Sequence, residues 1–332
     1  MAPNNMATVT PAAITPIKLQ INKSDTTFSL ILVYIVICVI FSILSPYFFT
    51  IKNLLNIGLF ASFIGVMAAG VTVAMLFGAI DISQYAVATL SGLFGGLLLN
   101  AGFGTLWTII LCLGVGAICG AINGTLVAYL KISGIIATLG TMQIFRGAAY
   151  LITKGLTIEI TDKKFALIGK GYIFKIIPIA IIIMVVLFLI IFYILKYTSF
   201  GRKIFAVGGN EQASFLSGIN VNLTKFGGLV ICGACSALAG LILASQVGAA
   251  VPSSGVGSEM GVLSAVILGG VSLSGGKGRI SGTVIGVLIL ATIQNGLTLL
   301  SVQSYYQMII NGLVLILAVL MDIVRSGAFK KK

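Results

Sequence analysis

Residues 176–195 read IIPIAIIIMVVLFLIIFYIL, a run without a single charged side chain. The residues that follow directly, 196–225, read KYTSFGRKIFAVGGNEQASFLSGINVNLTK and include five charged side chains. A helix of about 20 apolar residues spans the hydrocarbon core of a bilayer and satisfies its own backbone hydrogen bonds. The first run therefore predicts a membrane-spanning helix. The second run, here called the island, predicts a structured polar loop at one face of the membrane.

The composition of the whole chain supports this interpretation. Of the 332 residues, 58% are hydrophobic and 8% are charged, and the mean hydropathy is +1.16. Soluble domains are about 45–50% apolar and about 25% charged, so an ordinary water-soluble domain is excluded. The formal net charge is +13. It does not indicate nucleic acid binding, because the basic residues are scattered between apolar runs, where they mark loops that stay in the cytoplasm.

Ten apolar runs divide the chain and predict an all-α polytopic membrane protein with about ten transmembrane helices. They cover residues 28–49, 54–77, 85–99, 106–130, 132–152, 176–195, 226–246, 261–273, 280–300 and 305–323. The third and eighth runs are short and rich in Gly and Ser. Such runs are typical of broken helices that line a polar pathway, but they also fit ordinary helices with shifted boundaries. We expect one transmembrane domain over 28–324, a disordered tail over 1–27 and a basic tail over 325–332.

The distribution of Lys and Arg predicts the orientation of these helices. If the N-terminus lies in the cytoplasm, thirteen Lys and Arg residues fall in cytoplasmic segments and six fall in outer loops. Loops rich in Lys and Arg stay inside, so both termini and the island are expected in the cytoplasm. The same rule places Asp81 and Ser83 at a cytoplasmic helix end, and Lys277 and Arg279 in a tight cytoplasmic turn. The loop 154–175, which carries five lysines, then lies outside.

Small residues at helical spacing predict where helices pack closely. Membrane helices need such residues because close backbone approach, rather than burial from water, drives their association. Three faces of this kind occur in the chain: Gly92 and Gly96; Gly116, Gly120 and Gly124; Gly282 and Gly286.

No catalytic or metal-binding set is visible in the sequence. Histidine is absent, and the seven carboxylates are isolated from one another. The Gly-rich stretch around Lys277 does not fit a nucleotide-binding loop. Such a loop needs Gly, four further residues and then Gly-Lys-[Ser/Thr], but Val271 and Gly278 occupy two of its required positions. We therefore expect a protein that is not an enzyme, holds no metal and binds no nucleotide itself.

The island contains the pattern of a short amphipathic helix. Gly208 and Gly209 favour a turn, Asn210 is a good N-cap, and Glu211 in the first turn complements the helix dipole. The expected apolar stripe and helix end comprise Ala213, Phe215, Leu216, Ser217, Gly218 and Ile219. A two-turn helix is unstable alone in water. It therefore either seats in the groove of another protein or packs on its own bundle or on lipid headgroups.

The chain resembles the permease subunit of the ribose-type family of ATP-binding-cassette (ABC) importers. The likeness runs from about Ser45 to Met321, and the island and the loop around Lys277 are its most specific parts. The stretches that carry it are GAIDIS (78–83), IATLGTMQIFRG (136–147), VGGNEQASFLSGINV (207–221), LGGVSLSGGKGRISGT (268–283) and NGLTLLSVQSYYQMIING (295–312). Gln84 and Tyr85 depart from the small residues that are usual in the family at those positions.

This resemblance implies an inner-membrane permease bundle that moves a monosaccharide into a bacterial cell. A separate cytoplasmic ATPase would hold ATP and Mg²⁺, and a periplasmic or lipid-anchored sugar-binding protein would deliver the substrate. A second permease copy, identical or similar, would complete the transporter. The resemblance assigns residues 209–218 as the coupling helix that seats on the ATPase. Outer residues that would touch the binding protein are Lys163, Lys164 and Glu259.

Polar residues inside the apolar runs are candidates for the translocation pathway, since such residues are costly in lipid. Arg146 either lines the pathway, pairs with a partner or extends its charge to the membrane surface. The amides of Asn123, Gln143, Gln294 and Asn295 either bind a polyol or join helices together. Asp81 either caps the next helix or contacts substrate. An ion-coupled secondary transporter is the alternative function, and the lack of a carboxylate in the middle of a predicted span counts against it.

Overall fold

The computed structural model describes residues 24–326, and most of them are helical. Thirteen α-helices follow in this order: α1 Ser24–Leu44, α2 Ile51–Leu76, α3 Gln84–Asn100, α4 Thr105–Gly124, α5 Gly134–Thr153, α6 Lys163–Lys170, α7 Ile179–Tyr197, α8 Ser199–Gly209, α9 Glu211–Leu216, α10 Val221–Val247, α11 Glu259–Leu268, α12 Ile280–Leu299 and α13 Ser304–Ser326. A π-helical turn, Thr125–Tyr129, extends α4. Two antiparallel pairs of very short strands complete the fold: β1 Ile158–Glu159 with β4 Ala249–Ala250, and β2 Tyr172–Ile173 with β3 Ile177–Pro178.

The ten predicted apolar runs all coincide with helices. Within the described residues, eight helices are long and apolar enough to cross a membrane. The remaining two runs are the third and the eighth: α3 has 17 residues and α11 has 10, so their predicted shortness is confirmed. Helix α1 begins at Ser24, a few residues before the expected boundary. The rest of the predicted N-terminal tail, and the basic tail from residue 327 onward, lie outside the described residues.

The core of the bundle is formed by α2 and α10. Helix α2 is almost entirely buried, and α10 packs against α2, α3 and α4. Helices α1 and α13 lie at the periphery, where their large apolar side chains are exposed as expected for residues that face lipid. The side of the bundle that carries the island is called the island end below, and the side that carries loop 154–178 is called the opposite end.

Close backbone contacts explain the predicted glycine faces. A Cβ atom built on Gly116 would lie 2.4 Å from the carbonyl oxygen of Gly233 in α10, and one on Gly120 would lie 2.3 Å from that of Leu229. A Cβ on Gly286 of α12 would lie 2.0 Å from the carbonyl oxygen of Ala265 in α11. Atoms cannot approach so closely, so only glycine fits at these positions. The predicted packing faces are therefore confirmed.

Two breaks interrupt the helices inside the bundle. The first break, residues 77–83, joins α2 to α3, and the second break, residues 248–258, joins α10 to α11. Lipid offers no hydrogen bonds, so the backbone of each break must find partners in the protein. Thr138 accepts a bond from the Ile82 amide at 3.1 Å, and Thr89 donates to the Ser254 carbonyl at 3.0 Å. Polar side chains of neighbouring helices thus bond to the backbone of both breaks.

The contact between α4 and α10 leads to a stability prediction. Gly116→Ala should lower the thermal stability of the detergent-solubilised protein, because its methyl group overlaps α10 and overpacking costs about 1–3 kcal/mol. Gly114→Ala is the matched control, since a Cβ at Gly114 in the same helix meets no atom within 4 Å. Thermal unfolding followed by size-exclusion chromatography measures the difference. Equal melting temperatures for the two variants would contradict the packing described here.

Candidate functional site

The island folds into two helices that meet at Asn210. Helix α8 ends at Gly209, and α9 begins at Glu211. The Asn210 side-chain oxygen accepts a hydrogen bond from the Ala213 amide at 2.8 Å, so the predicted N-cap is present. Gly218, at φ +80°, turns the chain after α9. Ser217 is exposed and donates to the Ala213 carbonyl at 2.9 Å, which completes the end of the helix.

Helix α9 presents apolar side chains to its surroundings. Phe215 is 69% exposed and Leu216 is 78% exposed, whereas Ser214 is buried. Ile219, which we expected to share the exposed stripe, packs partly on the core of the bundle instead. A helix this short is stable only when its neighbours hold it. The bundle holds one side of α9 and leaves Phe215 and Leu216 uncovered.

Ion pairs orient α9 on the bundle. The Glu211 carboxylate lies 2.5 Å from the Lys225 ammonium, at the start of α10, and 3.8 Å from that of Lys131, in the turn before α5. Lys131 also donates to the Asn222 side-chain oxygen at 2.6 Å. Exposed ion pairs contribute at most about 1 kcal/mol each to stability. These contacts therefore orient α9 and contribute little to its stability.

The segment Gly208–Asn210, here called the elbow, is joined backbone to backbone to the rest of the island end. A Cβ on Gly208 would lie 1.9 Å from the carbonyl oxygen of Leu76, at the end of α2. The Gly276 amide donates to that same oxygen at 2.8 Å. A Cβ on Gly276 would lie 2.7 Å from the Cα of Gly209. The elbow, the end of α2 and loop 269–279 are therefore in direct backbone contact.

Loop 269–279 is a tight turn, as predicted. The Ser272 amide donates to the Lys277 carbonyl at 2.9 Å, and Lys277 and Arg279 are both exposed. The Leu273 amide donates to the Asp322 carboxylate of α13 at 3.2 Å, which ties the loop to the last helix.

A chain of hydrogen bonds runs through the interior of the bundle. The Thr141 hydroxyl donates to the Asn123 side-chain oxygen at 2.6 Å, and the Asn123 amide donates to the Ser83 hydroxyl at 2.8 Å. The Ser83 hydroxyl and its backbone amide then donate to one oxygen of Asp81, at 2.7 and 2.8 Å. All donors point the same way and end at the carboxylate. The chain joins α5 and α4 to the first break.

Asp81 lies at a helix end, as the sequence predicts, but within the bundle. Both Asp81 and Ser83 lie directly before α3, where Asp81 is 1% exposed and Ser83 is fully buried. Asp81 lies beside Cys232, near the middle of α10. The predicted helix end is present, since Ser83 directly precedes α3, but the chain turns back into the bundle after α2, so this end is buried. A carboxylate is therefore present at the depth of the spans, contrary to the expectation from the sequence.

Arg146 and Glu259 form an ion pair inside the bundle. The guanidinium of Arg146, in α5, contacts the carboxylate of Glu259, the first residue of α11, and both side chains are largely buried. The Gln84 side chain of α3 donates to the Glu259 carbonyl at 3.1 Å. The buried position of Glu259 argues against our prediction that it touches a binding protein. Among the alternatives for Arg146, the structure shows pairing.

The other pathway candidates do not come together in one site. Gln143 is exposed on α5, whereas Asn123 is buried in the hydrogen-bond chain. Gln294 of α12 bonds to Asn311 of α13, so this pair joins two helices. The side-chain oxygen of Asn295 is buried and has no hydrogen-bond partner among the described residues. At the opposite end, Lys163 and Lys164 are exposed on α6, whose N-cap is Asp162.

Comparison with known proteins fits this architecture. The model of a permease family described as "Branched-chain amino acid transport system / permease component" matches residues 53–319. The chain belongs to this permease family. It is therefore a multi-pass membrane protein and the permease component of a transport system.

Curated relatives of the chain are sugar permeases by name. A ribose import permease of Haemophilus influenzae is 42% identical over 292 residues, which cover 87% of this chain and 90% of that protein. A ribose import permease of Bacillus subtilis is 42% identical over 294 residues, covering 88% of this chain and 91% of that protein. An L-arabinose transport permease of Escherichia coli is 38% identical over 301 residues, covering 89% and 90% respectively. The ribose-type resemblance is thereby confirmed.

Several residues of these networks were not identified from the sequence. They are Gln84, Lys131, Thr138, Thr141 and Lys225. Thr141 carries a readable signal, because it lies on the stripe of α5 that also contains Ala137, Phe145 and Ala149, all buried. A hydroxyl on a buried stripe needs a partner. The contacts of Gln84 and Lys131 depend on how distant segments pack, which local spacing does not show.

The hydrogen-bond chain leads to a second stability prediction. Ser83→Ala should lower the melting temperature of the solubilised protein, because it removes a donor to Asp81 and the acceptor of Asn123, and an unsatisfied buried polar group costs about 1–3 kcal/mol. Ser217→Ala is the control, since the Ser217 hydroxyl is exposed at the end of α9. If Ser83→Ala melts at the same temperature as Ser217→Ala, the chain does not stabilise the bundle.

Proposed function

We propose that the chain is the membrane-spanning permease subunit of an ABC importer that carries a monosaccharide into the cytoplasm. The observation that carries the coupling part of this proposal is the exposure of Phe215 and Leu216 on a capped helix fixed to the bundle. Two large apolar side chains at a polar end of the bundle need a protein groove, and helix-in-groove docking is a common way to cover them. We propose that this groove belongs to a cytoplasmic ATPase.

The elbow gives the proposed ATPase a mechanical path into the bundle. ATP and Mg²⁺ would bind to the partner, and closure of the partner would displace α9. Because Gly208 contacts Leu76 and Gly276 without intervening side chains, a displacement of α9 reaches the end of α2 and loop 269–279 directly. The glycine contacts leave no room for side-chain rotation to absorb the movement.

Charge favours a neutral, hydroxylated substrate over an amino acid. Three acidic and basic side chains buried inside the bundle have partners: Arg146 pairs with Glu259, and Asp81 accepts from Ser83. A zwitterion would require unpaired charges of both signs, because an ionised group in lipid is costly unless it is paired. The exposed amide of Gln143 offers the neutral donors and acceptors that a polyol requires. Ribose and arabinose, named for the relatives, are the substrates proposed here.

Orientation and partners complete the proposal. The positive-inside rule places the island end and both termini in the cytoplasm of a bacterial cell, with the bundle in the inner membrane. The exposed lysines of loop 154–178 then face outward and fit an acidic lobe of a sugar-binding protein. A second permease copy would cover the exposed face of α5 that contains Gly140, Gln143 and Gly147.

An ion-coupled transporter is the remaining alternative, and buried Asp81 is the observation that favours it. Its carboxylate, however, accepts two hydrogen bonds from Ser83 at the end of a one-way chain. This geometry suits a structural acceptor that stays in one state, whereas an ion-coupling carboxylate must gain and lose its ion in each cycle.

Docking of the ATPase predicts a selective loss of the complex. Leu216→Glu places a charge in the proposed contact, and the lost burial of one large apolar side chain, about 1.5–3 kcal/mol, corresponds to at least a tenfold loss of ATPase recovered with the tagged permease. Leu167→Glu is the control, because Leu167 is similarly exposed on the short helix α6 at the opposite end. Equal ATPase recovery with both variants would contradict docking through α9.

The substrate class is tested by uptake in cells that have or lack this chain. Deletion should abolish uptake of labelled ribose or L-arabinose and leave leucine uptake unchanged, because a neutral pathway does not compensate the charges of an amino acid. Loss of leucine uptake with intact sugar uptake would reverse the assignment.

The outer lysines predict a charge-dependent contact. Replacement of Lys163 and Lys164 by Glu should weaken binding of the sugar-binding protein to the reconstituted transporter, and more so at low salt, because rim charges act mainly on association. Lys52→Glu, an exposed lysine at the start of α2, is the control. A salt-independent affinity that matches the control would exclude this loop as the contact.

A further inference from the structure

The Arg146–Glu259 contact differs from the other ion pairs of the described residues. Those residues contain three ion pairs, and two of them share the exposed carboxylate of Glu211. The side chains of Arg146 and Glu259 are only 19% and 10% exposed. Removing one partner of such a pair leaves an uncompensated charge in a low-dielectric site, which is strongly unfavourable. The pair therefore separates only if water or another charge replaces the partner.

Helix α11 connects this pair to the island end. It has 10 residues, so its two ends lie about 15 Å apart. Glu259 stands at its first position, and loop 269–279 follows its last turn. That loop bonds to Leu76 through the Gly276 amide and touches Gly209 of the elbow. Nearly all of α11 is buried, so it behaves as a packed strut between the elbow and the interior pair.

The second break, residues 248–258, ends directly before Glu259. These residues form no helix; Ala249–Ala250 pair with Ile158–Glu159, and Thr89 donates to the Ser254 carbonyl. The Gln84 side chain binds the Glu259 carbonyl, so α3, α5 and α11 all meet at one residue. Movement of Glu259 would therefore change how the second break packs.

We propose that Arg146 and Glu259 form a latch that holds the second break closed, and that α11 transmits displacement of the elbow to this latch. Both are positioning residues. When the elbow moves, α11 shifts Glu259 away from Arg146, and water enters to hydrate the two charges. In the resting state the buried ion pair keeps the second break closed. This proposal rests on the proposed function, because displacement of the elbow requires the ATPase.

The test uses the tagged permease in its complex with the ATPase, reconstituted in lipid nanodiscs and in proteoliposomes. The single variants are Arg146→Met and Glu259→Gln. The third variant swaps the two charges and combines Arg146→Glu with Glu259→Arg. Lys52→Met is the matched control, because it removes one exposed positive charge from α2, which carries neither member of the pair. The first readout is amide hydrogen exchange of residues 248–268, which needs no sugar. The second readout is labelled ribose transported per ATP hydrolysed.

The latch predicts faster exchange of residues 248–268 in wild type trapped with ATP and vanadate than without nucleotide. Each single variant should show that faster exchange without nucleotide, and its transport per ATP should fall about tenfold while the complex stays assembled. The charge-swapped double variant, Arg146→Glu with Glu259→Arg, should return both the hydrogen exchange and the transport per ATP towards wild type. A loss of folding would not allow this recovery. If nucleotide and the single variants leave exchange of residues 248–268 unchanged, the latch is wrong. If exchange responds as expected but wild type transports no sugar, the proposed substrate is wrong and the latch remains.

Discussion

A backbone that leaves the helix inside a membrane must find its hydrogen-bond partners within the protein, and this constraint organises the molecule. The chain breaks its helices twice within the bundle, at residues 77–83 and 248–258. Neighbouring helices supply hydroxyls to both segments, through Thr138 and Thr89. Most polar residues in the apolar runs are therefore committed to the protein itself. Gln143 is the predicted pathway residue that remains exposed.

The same breaks create the path from the surface to the interior. Because α2 ends at Leu76 and α11 ends at Leu268, the island end contains free backbone groups that glycines can approach. Gly208 and Gly276 meet there at backbone distance. A side chain at either position would separate the elbow from the bundle and weaken the proposed transmission. The bundle thus holds one side of α9 rigidly. The other side of this helix carries the exposed apolar residues.

Periodic features of the fold could be predicted from the sequence. The lengths of the apolar runs predict the membrane spans. Asn210 and Gly218 predict the ends of α9, and the spaced glycines predict the faces on which helices pack. These features depend on residues that are close in sequence. The interior position of Asp81 and the Arg146–Glu259 pair depend on contacts between residues that are 40 and 113 positions apart, respectively. No local pattern records such contacts. The sequence predicts one short helix in the island where the structure has two, because the apolar residues of α8 are interrupted by Arg202, Lys203 and several glycines.

The energy source of transport is the most direct test of the account. In proteoliposomes that contain the complete complex, labelled ribose should accumulate only when ATP is on the same side as the island and the sugar-binding protein is on the other side. Vanadate should stop this accumulation, and ionophores that collapse proton and sodium gradients should not. Accumulation that persists with vanadate but ends with the ionophores would contradict the ABC importer and identify the chain as an ion-coupled transporter.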